Sequence, residues 1–153
     1  MPDNSTAIAA TTLAAKNRDL ARRVVELMGT KEVFELYAED IVMEFPYAVS
    51  LKLTNRHVTK RDVVAYMQRI MPALQGLVIQ DVTVSSVAGD PTTVFVEYEA
   101  DMPTPGGNNF RQSHVDRMTF RDGKVVYLRE LWDPKRIIDA GNGVFDDIPA
   151  APK

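Results

Sequence analysis

His114, Asp116 and Glu130 are three titratable residues set among apolar neighbours, and together they are the groups most able to do chemistry in this chain. An imidazole and a carboxylate that share a proton make an acid or base poised near neutral pH. A second carboxyl surrounded by apolar side chains loses hydration, keeps its proton and can donate a hydrogen bond. All three lie between Asn109 and Pro134, so one local structure must position them.

That stretch reads as a β-hairpin, because two β-rich runs flank Asp122-Gly123, a dipeptide suited to positive φ in a tight turn. Its register is open. With a two-residue loop Arg121 pairs with Lys124, and Asp116 faces Arg129; with a three-residue loop closed by a glycine bulge, Phe120 pairs with Lys124 and His114 faces Glu130. A slip of one residue exchanges the two faces. Hydrophobicity does not decide, since Val125, Tyr127 and Leu131 form as good a stripe as Val126, Leu128 and Trp132.

The elements around the hairpin follow from periodicity. Residues 1–10 are small and polar and read as a flexible end. Leu13, Asn17, Leu20, Val24, Leu27 and Met28 then fall at helical spacing until Gly29. Thr30 can cap a short second helix carrying Val33, Phe34, Leu36 and Tyr37, and a strand follows from Ile41 to Tyr47. Residues 48–58 look like a loop. Thr59 to Asp62 resembles a capping box opening a third helix with the stripe Val63, Val64, Met67, Ile70, Met71, which Pro72 breaks. From Leu77 the period becomes two, giving strands at Leu77–Val87, Thr92–Met102, Phe110–Arg121 and Lys124–Trp132. Pro134 opens a short helix with Ile137 and Ile138 inward, and residues 142–153 form a tail. Helices gathered before antiparallel strands make an α+β layer fold, a single domain over residues 11–141, with helices covering one face of a curved sheet. A cone-shaped cavity is the expected outcome.

Composition narrows the function classes. The 153 residues suit one core, and a net charge of -3 gives no electrostatic reason to bind nucleic acid or an anionic membrane. No cysteine is present, which excludes disulfides and thiolate chemistry, and two histidines are too few for an obvious zinc site, so no metal is expected. No stretch approaches the ~20 apolar residues of a membrane span, and the N-terminus lacks a basic start before an apolar core. A soluble cytoplasmic protein is the expectation.

The order of elements, with Leu36-Tyr37-Ala38-Glu39-Asp40, Met43-Glu44-Phe45-Pro46, Val115-Asp116-Arg117-Met118-Thr119-Phe120 and Arg129-Glu130-Leu131-Trp132-Asp133-Pro134, resembles the nuclear transport factor 2-like superfamily. Within it the chain is most similar to SnoaL-like polyketide cyclases, and more distantly to ketosteroid isomerases. The resemblance spans roughly residues 12–140 and implies a cone-shaped α+β barrel, three N-terminal helices packed on a curved, mostly antiparallel sheet. It also implies the three-residue loop. Asp116 occupies the place of an aspartate that points into the steroid pocket, and Trp132 that of a pocket tryptophan; only that loop turns both inward, with Val126, Leu128 and Glu130 beside Trp132.

The resemblance implies a cofactor-independent cyclase, isomerase or dehydratase acting on an apolar cyclic or aromatic small molecule, in a homodimer. Glu130 with His114 would be the acid/base pair and Asp116 the donor to developing oxygen charge, as in ketosteroid isomerases. Phe45, Tyr47, Tyr98, Trp132, Met118, Leu128 and Met67 would form the substrate pocket. Two departures bear on the reaction: Phe45 stands where those isomerases carry their proton-shuttling base, and Arg22 takes the place of the first-helix tyrosine. Ordinary steroid isomerisation is thereby disfavoured. The plainer readings are a structural His114–Glu130 cross-strand pair, a structural Asp116, a solvated His57, and an exposed acidic row of Glu97, Glu99 and Asp101. A module that binds a ligand or dimerises without chemistry is the alternative function.

Overall fold

A computed structural model describes residues 4–103 and 109–140. Helix α1 runs Asn4–Glu26. Residues 4–10, expected to be loose, are helical: Ala7, Ala9 and Ala10 have the highest helix propensity, and the Thr11 and Thr12 hydroxyls donate back to the Ala7 and Ile8 carbonyls at 2.9 and 3.0 Å. The buried side of α1 is Asn17, Ala21, Val24 and Val25, a stripe rotated from the expected one, with Leu13 exposed. Asn17 is buried without penalty because its amide donates to the Pro91 carbonyl at 2.9 Å.

A 3-10 turn (Lys31–Leu36) stands where a second helix was expected, and it leads directly into β1 (Tyr37–Glu44). The supposed loop 48–58 holds a 3-10 turn (Pro46–Leu51) and a three-residue strand, β2 (Arg56–Val58). Helix α2 (Lys60–Ile70) begins at the Thr59 cap, whose hydroxyl accepts from the Asp62 N–H at 3.4 Å. It buries Val63, Tyr66, Met67 and Ile70, one face at i, i+3, i+4 and i+7. Strands β3 (Val78–Val87), β4 (Asp90–Pro103), β5 (Asn109–Arg121) and β6 (Lys124–Leu131) form an antiparallel meander, and α3 (Pro134–Ala140) follows. The turn foreseen at Gly106-Gly107, and the tail from 142, lie outside the described residues.

Six strands make one open, curved sheet in the order β2-β1-β6-β5-β4-β3, antiparallel except where β1 lies beside β6. The fold is the expected α+β cone, and its sheet is not closed into a barrel. Its concave face carries Ile41, Met43, Val94, Val96, Met118 and Val125, all essentially without exposed surface, against Val24, Val25 and Val63 of the helices. Each such side chain contributes roughly 1.5–3 kcal/mol by leaving water.

The hairpin takes neither register that its turn chemistry allows by itself. Asp122 and Gly123 have φ of 51° and 74°, so the loop has two residues and Arg121 pairs with Lys124. A bulge then inserts Val126: Phe120 pairs with Val125 but Thr119 with Tyr127. Glu130 therefore stands opposite Asp116, not His114. Bulge and three-residue loop both restore the same facing, which is why His114, Asp116, Leu128, Glu130 and Trp132 all turn inward although Leu128 stands opposite Met118 and Glu130 opposite Asp116, one pair along from the three-residue register. Val125, not Val126, is the buried valine.

Candidate active site

The inner face of β4, β5 and β6 carries a chain of polar contacts. His114 lies one step beyond the last β5–β6 pair and reaches diagonally to Glu130, Nδ1 to Oε1 at 2.7 Å, with only 9% and 14% of the two side chains exposed. The His114 ring stacks on Tyr98 at 4.9 Å between centroids and 10° between planes. The Tyr98 hydroxyl donates to Asp116 Oδ2 at 3.4 Å, with the Met28 sulfur a second acceptor at 3.9 Å. Asp116 has no exposed surface.

Burial holds the Asp116 carboxyl well above the ordinary carboxylate range, the Glu130 charge pushes it further, and the Tyr98 hydrogen bond only partly opposes them. The same burial, with the charges of Asp116 and Glu130, pushes the Tyr98 hydroxyl up, and burial with Glu130 and Asp116 does so for Tyr37. Asp116 thus holds its proton more tightly than a solvated carboxyl does. Its Oδ1 and the His114 Nε2 have no hydrogen-bond partner among the described residues and are buried.

Beside this chain lies a cavity of about 70 Å³. Its lining is mostly apolar, with Phe45, Tyr66, Trp132 and the methionines Met28, Met67 and Met102 among it, and Gln112, His114 and Glu130 supply polar groups. A cavity of ~150 Å³ accepts benzene, so a ring enters this one only as the lining yields, and the three methionines are its softest part.

Of the residues expected in the pocket, Phe45, Met67, Trp132, His114 and Glu130 line the cavity, whereas Asp116, Tyr98, Met118 and Leu128 lie beneath it in the core. Tyr47 departs: it is half exposed in the turn after β1 and borders a surface groove with Trp132 and Pro134, because the 3-10 turn begun at Pro46 carries it past the rim. Arg22 also points elsewhere, donating to the Val82 carbonyl on β3 at 3.4 Å. His57 is not a solvated loop residue. It belongs to β2, stacks on Tyr66 at 4.1 Å, meets the edge of Phe45 at 6.1 Å, and its Nε2 is buried without a hydrogen-bond partner among the described residues. Burial draws its imidazole below the usual value, which keeps it neutral. Tyr66 and Gln112 were missed as site residues, although Tyr66 falls on the α2 stripe three residues after Val63 and Gln112 shares its β5 face with His114.

A family model for the SnoaL-like domain matches residues 18–128. The chain belongs to that family. It is similar to an uncharacterised PhzA/B-like protein of Pseudomonas aeruginosa, with 30% identity over 80% of this chain and 85% of that one. The uncharacterised YesE protein of Bacillus subtilis is 29% identical over 72% of this chain and 75% of its own length. Among solved structures, a phenazine biosynthesis-related protein of Pseudomonas aeruginosa shares the fold at a TM-score of 0.69 and 19% identity, covering 95% of each chain.

In this SnoaL-like domain the polar groups at the cavity divide by what they can exchange. Glu130 meets His114 through Oε1 and is itself a lining residue of the cavity, so it can take or return a proton there. Gln112 accepts the Asp133 N–H at 2.8 Å through its carbonyl oxygen, which leaves its amino group as the other end of a fixed amide. Among the described residues no helix is long and apolar enough to cross a membrane, and no cluster of three acidic or imidazole groups could hold a metal ion.

Proposed function

We propose that this SnoaL-like domain is a cofactor-independent acid/base enzyme that moves a proton next to a carbonyl in an apolar cyclic or aromatic small molecule, as in cyclisation, isomerisation or dehydration. The observation that carries the reading is a carboxylate on the wall of an apolar cavity, oriented from behind by a buried imidazole at 2.7 Å. Asp116, sealed from solvent, acts from beneath: it fixes Tyr98, on which the His114 ring rests. The outer sheet face, with Phe95 partly exposed among charged neighbours, supplies the surface for a homodimer.

The test is turnover against a panel of enolisable aromatic ketones. Glu130→Gln should lower it by at least ~10²-fold while the circular dichroism spectrum stays unchanged. Unaltered turnover in that variant removes Glu130 from the chemistry. Saturable binding of the panel to the wild type with no turnover of any member supports instead a binding module built on the same cavity.

A further inference from the structure

Tyr66 is a cavity residue that the acid/base reading leaves without a task. It projects from α2 on the wall opposite the sheet, and its ring is held between two others: His57 stacked at 4.1 Å and Phe45 at 5.3 Å with a 42° tilt. Clamped in this way, the phenol can turn little except its own O–H bond. That hydroxyl has no hydrogen-bond partner among the described residues, yet it is not among the polar atoms cut off from solvent. A phenol buried to this degree ordinarily finds an acceptor in the protein. Apart from solvent, the acceptor left to it is a molecule seated in the cavity that Tyr66 lines.

The setting fixes what that occupant offers. Burial pushes the Tyr66 hydroxyl up, and the Glu130 charge pushes it further, so it stays protonated and donates. Neighbouring His57 is neutral and does not compete as a cation. Asp116, which sequence resemblance makes the oxygen-facing donor, is sealed beneath the wall and does not reach a ligand.

We propose that Tyr66 is a second catalytic residue, donating its O–H to the carbonyl oxygen of a single-ring ketone while Glu130 takes the proton from the adjacent carbon. This rests on the acid/base reading of Glu130. The carbon–hydrogen pair becomes the C=C bond of an enolate, the carbonyl π pair moves onto oxygen against the Tyr66 O–H, and the proton travels to Glu130. Return of that proton to the same or a conjugated carbon completes exchange or isomerisation, so no oxidant or co-reactant is consumed. A rigid neutral donor that meets developing oxygen charge in a mostly apolar cavity lowers the barrier because it needs no reorganisation during the reaction.

The experiment uses acetophenone labelled with ¹³C at the carbonyl, cyclohexanone and cyclohex-2-enone as probes with the full chain. Two readouts are taken: the carbonyl stretching frequency of bound acetophenone, and incorporation of deuterium from D₂O next to the carbonyl. Tyr66→Phe keeps the ring stack and removes only the hydroxyl. The bound carbonyl should absorb at lower frequency in the wild type than in an apolar solvent, and Tyr66→Phe should abolish that displacement and slow exchange ~10²-fold. A displacement that survives in Tyr66→Phe and vanishes in Gln112→Met overturns the proposal in favour of the amide, and failure of all three ketones to bind overturns the substrate class. A Tyr66-dependent displacement with no exchange in the wild type upholds the donor and defeats the acid/base reading alone.

Discussion

Two side-chain pairs that each draw a residue from the β5–β6 hairpin are almost equal in length and opposite in setting. His114 meets Glu130 at 2.7 Å on the concave face with 9% and 14% of the side chains exposed, and Arg121 meets Asp40 at 2.6 Å on the outside with 58% and 62% exposed. Separation alone would rank them together. Water ranks them apart, because a partner lost outdoors is replaced by solvent and a partner lost indoors leaves a stranded polar group. The inner pair can hold a proton position against fluctuation, and the outer pair cannot.

The largest expected difference is in stability. Glu130→Ala should cost about 3 kcal/mol in urea unfolding, since it leaves His114 buried without its one partner. A loss no greater than that of a surface substitution would equate the two settings. Asp116→Asn gives a smaller, pH-dependent effect. Asp116 binds its proton more tightly folded than unfolded, so its contribution is fully favourable below the ordinary carboxylate pKa and declines as pH rises above it. Stability of Asp116→Asn relative to the wild type should therefore grow as pH rises above the ordinary carboxylate range, and a constant difference would show that folding does not tighten the carboxyl's hold on its proton. The smallest effect belongs to the outside: Asp40→Ala, which removes the carboxylate that Arg121 holds below its usual range, should leave the urea midpoint unmoved.

What the sequence makes legible follows the strength of each periodic signal. Helix α2 is plain because a capping threonine precedes an apolar face at 3.6 spacing, and β3 to β6 because alternation changes to two with a turn dipeptide between the last pair. The start of β1 is hidden because Glu39 and Asp40, both exposed, break the alternation. The short strand β2 is hidden because its three residues sit in a polar run, and His57 with it. The Val126 bulge leaves no mark in composition, since valines occupy both candidate stripes; facing survived this and pairing did not. The Glu130–His114 contact was legible as a pair of residue types, while the clamp around Tyr66 needed β2, β1 and α2 to be folded together.

The methionine wall of the cavity carries a liability of its own. Met28, Met67 and Met102 line it, and the chain has no thiol to intercept peroxide first. Sulfoxide at any of them plants a chiral S=O dipole in the apolar part of the lining, and wets it until a reductase reverses the damage. A resident ligand would shield those sulfurs, so the rate at which they oxidise is a clock that runs only while the site stands vacant.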